Sequence, residues 1–247
     1  MILLIKPFIF NPYPEILFGF STKIGPNSIS PFYFNLSYSV GDEARIVDQN
    51  RKYFFEEVGL SKETVSYQKQ VHEDFIKEVN ESGNCGESDA LITTSKNLGL
   101  AISSADCPAI FIYDPVKRVI AAVHSGWRGT EKKILQKTII KLKNEFNSNV
   151  SDMICYIAPS ISKINYEVGK EVAEKFEAEF VIKKENKFFL DVAGANYKML
   201  ITEGVKKVNI QKSNLCSFGY ENVLHSYRRD GQKSGRAVGV IAMRDLE

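Results

Sequence analysis

Four short apolar runs crowd the stretch from Ala90 to Val123 and constrain the fold more than anything else in the chain: Ala90 to Thr93, Leu98 to Ser103, Ala109 to Tyr113 and Val119 to Val123. Runs of four to six apolar residues bounded by polar or turn residues read as buried strands, and Asp114-Pro115 supplies the turn between the last two. Helices are expected around them. Asp42 to Val58 interleaves charges with Ile46, Val47, Phe54 and Phe55, with Gly59 as a stop. Thr130 to Phe146 places Ile134, Leu135, Ile139, Ile140, Leu142 and Phe146 near a 3.6 spacing, with Thr130 as N-cap. Beyond these, strands are expected at Ser151 to Ala158, Phe188 to Val192 and Ala237 to Met243, with helices at Val168 to Phe180 and Ala193 to Gly204. Gly19 to Pro31 reads as an irregular loop. Strands and helices alternate without a strict βαβ rhythm, so the expected fold is one α/β domain, residues 1–247, with mixed layered sheets flanked by helices.

Composition removes several classes of function. Thirty-two basic and 30 acidic side chains leave a net charge of +2, with no electrostatic reason to expect a nucleic acid or an anionic membrane as partner. Cys85, Cys107, Cys155 and Cys216 are scattered with no CxxC pair, unlike a secreted disulfide framework, so a reducing cytoplasm is expected. Met1 to Phe10 is apolar but broken by Lys6 and Pro7, too short for a membrane span and without the parts of a signal peptide.

The chemistry concentrates in three short motifs. There are only three histidines, and two lie in Gln70-Val71-His72 and Val123-His124-Ser125-Gly126-Trp127-Arg128-Gly129. Between these falls Ala105-Asp106-Cys107-Pro108. Imidazole and thiolate are the preferred ligands of zinc, and three protein ligands with one open position is the catalytic pattern. If the two strands flanking Asp114-Pro115 pair as a hairpin, Cys107 and His124 come to the same end of it. His72 must be delivered by the tertiary fold. Taken singly, a buried Cys is more often a small hydrophobe, and a His a hydrogen-bonded core residue, than a metal ligand.

The motifs resemble those of the YfiH, or laccase-domain, family, also described as purine nucleoside phosphorylase and as multicopper polyphenol oxidase. The likeness runs through Phe18-Gly19-Phe20-Ser21-Thr22, Asn35-Leu36, Val40-Gly41-Asp42, Asn50-Arg51, Gln70-Val71-His72 and Asp89-Ala90-Leu91-Ile92-Thr93. It continues in Ser104 to Pro108, Ala122 to Gly129, Ala158-Pro159-Ser160-Ile161 and Tyr166-Glu167-Val168-Gly169. Ser226 to Gly231 and Ser234-Gly235-Arg236 close it. The resemblance implies zinc held by His72, Cys107 and His124, and a single α/β domain of layered sheets. The implied activity is phosphorolysis of adenosine, inosine and methylthioadenosine, together with adenosine deamination, so the partners are a purine nucleoside and phosphate.

Arg51 and Arg128 are candidates for the phosphate, the alternative being solvated surface arginines, and Asn35 is a further substrate-binding candidate. Asp106 either orients a ligand histidine or caps a turn, and Trp127 either stacks a purine or packs behind the metal loop. Lys23 stands where the family has arginine, and a lysine lacks the fork that grips phosphate. Ile24-Gly25-Pro26 likewise replaces the usual Gly-Gly pair. His225, in place of an aromatic residue, reads as packing or surface. Copper is the lesser expectation, because a multicopper laccase centre draws heavily on imidazoles and three histidines cannot furnish it. Peptidoglycan editing, with a muropeptide precursor as substrate, is the other activity attached to the family. A binding module with structural zinc is the non-enzymatic alternative.

Overall fold

The computed structural model describes residues 2–245. Two six-stranded mixed sheets face each other. The first runs, in spatial order, β1 (Leu4–Ile5), β2 (Ile16–Ser21), β15 (Ala237–Met243), β7 (Gly99–Ser104), β3 (Val65–Lys69) and β5 (Gly83–Glu87). The second runs β14 (Ile210–Lys212), β10 (Ile154–Ile157), β8 (Ala109–Asp114), β9 (Val119–His124), β6 (Ala90–Thr93) and β4 (Ile76–Glu78). A small third sheet, β11 (Glu167–Val168), β13 (Lys187–Leu190) and β12 (Val181–Lys184), stands apart from both.

Burial on both faces explains why the central strands are apolar without alternation. In β8, Phe111 and Tyr113 join Phe18, Phe20, Leu100 and Ile241 in the core between the sheets. Ile110 and Ile112 of the same strand point the other way, towards Ile134, Leu135, Ile139 and Leu142 of α3 (Ile134–Phe146) and Leu200 of α5 (Val192–Glu203). On the far side, α1 (Ala44–Val58) lays Phe54, Phe55 and Val58 against Val65, Ala101 and Val240 of the first sheet. The layers are helix, sheet, sheet, helix. The two sheets approach so closely at Gly239 that a Cβ there would lie 2.4 Å from the Phe111 ring.

The sequence reading needs three corrections. Gly19 lies inside β2, so the irregular segment begins only after Ser21. Thr130 is not the cap of one long helix. It lies within α2 (Trp127–Glu131), and Lys133, in the left-handed region at φ 61°, separates that short helix from α3. Val168 to Phe180 is no continuous helix: only α4 (Lys170–Ala173) is α-helical, and a single 3-10 turn, Ala178–Phe180, follows. The apolar positions at every fourth residue, Val168, Val172, Phe176 and Phe180, instead pack one small cluster with Leu190 of the third sheet. No helix among the described residues is long and apolar enough to cross a membrane.

Candidate active site and metal centre

The chain passes from the first sheet to the second three times in succession, from β3 to β4, β5 to β6 and β7 to β8. His72 lies on the first crossing, Asp89 on the second and Cys107 on the third. His124 ends β9, paired in register with Ala109, two residues after Cys107. The fold therefore gathers at one end of the sheets what the sequence spreads over fifty residues. Ligand atoms of His72, Cys107 and His124 lie within 4.8 Å of one another, and among the described residues this is the one such grouping. The two imidazoles meet edge to face at 4.8 Å between centroids.

One buried carboxylate fixes both histidines. Asp89 Oδ1 accepts from His124 Nδ1 at 2.8 Å and from the His72 backbone N–H at 3.0 Å. Its Oδ2 accepts from the N–H groups of Val71 and Glu73 at 3.1 and 2.9 Å. Burial opposes its charge, but the bonds from His124 and the backbone hold it below the ordinary carboxylate range. They also offset the left-handed backbone of His72, φ 61°, a conformation that costs roughly 1–3 kcal/mol for such a residue. With Nδ1 committed to Asp89, Nε2 is the nitrogen of His124 free to ligate.

The thiol is prepared as a ligand too. Removal from bulk water pushes the Cys107 thiol up, yet the charge and hydrogen bond of His124, with help from His72, bring it down to about 6. Burial in turn lowers His124, but Cys107 and Asp89 raise it to about 9. Gly126 leaves the space: a Cβ there would sit 2.8 Å from Cys107 Sγ and 3.7 Å from His72 Cδ2. Two imidazoles and a thiolate around such a cradle suit zinc, and each could supply one ligand atom.

The three residues open onto a cavity of about 990 Å³, at the upper end of the range for small-ligand pockets. Arg51, Arg128, Arg228 and Arg236 line it, with Tyr38, Tyr67, Tyr166, Tyr227 and Trp127. Each arginine lies over an aromatic ring of that wall. Arg51 sits between Tyr38 and Tyr67 at 4.3 and 4.7 Å, and Arg128 covers Trp127 at 4.3 Å. Arg228 covers Tyr166 at 4.8 Å, and Arg236 covers Tyr227 at 5.2 Å.

The family model described as "Multi-copper polyphenol oxidoreductase laccase" matches residues 17–244. The chain belongs to this laccase-domain family. A relative from Clostridium acetobutylicum named purine nucleoside phosphorylase is 40% identical over 183 residues, covering 72% of this chain and 76% of its own. One of the same name from Deinococcus radiodurans is 33% identical, with 96% and 93% covered. The solved structure of Bacillus licheniformis YfiH superposes with a TM-score of 0.91 at 28% identity, covering 98% of this chain and 96% of that one. The layered mixed α/β fold expected from the sequence is thus the YfiH fold, and the laccase-domain chain is an enzyme of the family whose relatives carry the phosphorylase name.

Around this laccase-domain site, two expected roles change hands. Asp106 orients neither histidine; its oxygens accept from Ser217 Oγ at 2.6 Å and from the Arg228 backbone N–H at 2.7 Å. The orienting carboxylate is Asp89. Asn35 is fully buried and does not face the cavity. Its Nδ2 donates to Ser37 O and Asp42 Oδ2, and its Oδ1 accepts from the N–H groups of Ser37 and Arg236. The structure thus gives it a structural task in place of substrate binding. Lys23 is likewise turned inward, donating to Glu221 O at 3.1 Å. His225 packs in the interior beside Phe34, where burial pushes it down to about 3. Arg228, Arg236 and Tyr166 were missed as cavity residues, although each lies in a motif shared with the family.

Proposed function

We propose that this chain is a zinc-dependent purine nucleoside phosphorylase acting on adenosine, inosine and S-methyl-5′-thioadenosine, with adenosine deaminase activity in the same cavity. The observation that carries this reading is the convergence of His72, Cys107 and His124 on the cavity that four stacked arginines line. The phosphorylase name of the relatives supports it.

His72, Cys107 and His124 would hold the zinc, with Asp89 fixing the tautomer and angle of His124. Bound there, zinc supplies Lewis acidity and a water of lowered pKa, the nucleophile that deamination requires. Arg128 and Arg51 bind the phosphate, joined by Arg228 and Arg236. Stacking on aromatic rings limits the positions these guanidiniums can take, so the charge that phosphate attack on C1′ requires is already in place. Trp127 and Tyr227 offer flat faces for a purine. A thiolate ligand and three more unpaired cysteines suit a reducing compartment, which assigns the protein to the cytoplasm in this reading.

The test is incubation of pure protein with adenosine, with and without phosphate. Adenine and ribose 1-phosphate are expected only with phosphate, and inosine in both mixtures. Metal analysis of the untreated protein should find zinc, not copper. Absence of all three products from fully zinc-loaded protein would refute the reading.

A further inference from the structure

Phosphorolysis leaves a purine carrying the electron pair of the broken bond, and a group near the metal residues must stabilise that charge. Several polar side chains of the cavity are already committed, and the unpartnered Gln68 amide lies on β3 beside Tyr67. Asp106 is taken by Ser217 and Arg228, and the Tyr38 hydroxyl donates to Asp48 at 2.7 Å. Ser104 donates to the Cys107 carbonyl at 2.6 Å, and the Gln70 amide is bonded at both ends to the Ser103 backbone.

Tyr166 differs. Its backbone is pinned to the third sheet, Leu190 N–H donating to its carbonyl at 3.0 Å, and its ring packs with Trp127, Val168 and Leu190. Its hydroxyl has no protein partner among the described residues. Burial keeps that hydroxyl protonated, pushed up to about 12. Packing against Trp127, three residues after His124, and stacking under Arg228, whose backbone N–H bonds Asp106 beside Cys107, place Tyr166 on the thiol side of the cavity, whereas Tyr67 lies under Arg51 and Tyr227 is half exposed.

We propose that Tyr166 is a catalytic residue of nucleoside phosphorolysis, its hydroxyl donating a hydrogen bond to N7 of the departing purine. The proposal rests on the phosphorylase reading above. An oxygen of hydrogenphosphate forms a bond to C1′ as the C1′–N9 bond breaks, and the electron pair of that bond stays on the base. The charge spreads over the imidazole ring to N7, where the hydroxyl meets it. The proton that hydrogenphosphate gives up is the one the free purine gains. Arg228, stacked on the ring at 4.8 Å, steadies the phenol as it shares its proton.

Tyr166→Phe keeps the ring and its stacking. The test compares inosine with 7-methylinosine, whose N7 is blocked and whose base leaves without developing negative charge. On inosine, kcat is expected to fall by roughly 10²–10³-fold, the usual loss of one donor to a developing anion, with KM little moved. On 7-methylinosine the loss should stay below about tenfold, since no such bond is made. Zinc content and thermal unfolding equal to wild type would show an intact site. Equal losses on both substrates, or no loss on inosine, overturn the proposal while leaving the phosphorylase reading standing. Failure of the wild type on both substrates brings down that reading, and this proposal with it.

Discussion

The two walls of the cavity are built on opposite principles. On the metal side the polar groups are held by protein. Asp89 takes four donors, Gln70 is tied at both ends, and Asp106 is saturated. The arginines of the lining are held less completely: Arg51 gives only its Nε, to Leu36 O at 2.8 Å, Arg128 makes no side-chain hydrogen bond to the described residues, and Arg228 and Arg236 each commit only Nη1 to backbone carbonyls. Arg229, from the same terminal segment as Arg228, shows what a structural arginine looks like. It clasps Asp230 with two nitrogens and donates to three backbone carbonyls. One wall is fixed in advance for a small ion; the other keeps its donors for a ligand.

The largest effect should come from the metal side. Cys107→Ser replaces a thiolate by a neutral hydroxyl of similar size. Metal affinity should fall by more than the ~10–100-fold that loss of an outer partner costs, and activity with it. Circular dichroism should be unchanged. Stoichiometric zinc in that variant would dissolve the distinction between the walls.

Asp89→Asn comes next. An amide offers one acceptor oxygen where Asp89 uses two, so a backbone N–H on the His72 turn loses its partner and the His124 tautomer loses its charge-assisted bond. Metal affinity should drop ~10–100-fold by titration with a competing chelator. The matching change at Asp106, Asp106→Asn, should leave metal affinity much closer to wild type. The reverse ranking would return the orienting role to Asp106.

Arg51→Met probes the arginine wall. Losing a charged hydrogen bond to the ligand costs about 1.5–3 kcal/mol, or roughly 10–100-fold in KM. Zinc content should stay at wild-type level. Loss of metal from this variant would mean the two walls are not independent.

These differences also explain what could be read without coordinates. The Ala109 to His124 hairpin was legible because both its faces are buried, and its register brought Cys107 beside His124. The choice between Asp106 and Asp89 was not, because nearness in sequence to Cys107 favoured the wrong carboxylate. Pairing of Ala90 with Val123 in β6 and β9 is what places Asp89 against His124. His72 could be named as a ligand, but its route was hidden, since a crossing between sheets leaves no periodic signature. The residues from Val168 to Phe180 misled for a different reason: fourfold apolar spacing satisfies a helix and a chain of short turns alike.

Asn35→Ala should have the smallest effect on activity and a clear one on stability. Four amide hydrogen bonds are lost in a fully buried position, leaving the N–H groups of Ser37 and Arg236 unpaired. A loss of about 1–3 kcal/mol per stranded group sets the scale in denaturant unfolding. Because Arg236 loses a backbone anchor while its stacking on Tyr227 remains, KM should rise less than in Arg51→Met, with kcat held. A larger rise in KM than for Arg51→Met, at unchanged stability, would move Asn35 to the ligand-facing wall and redraw the boundary between the two.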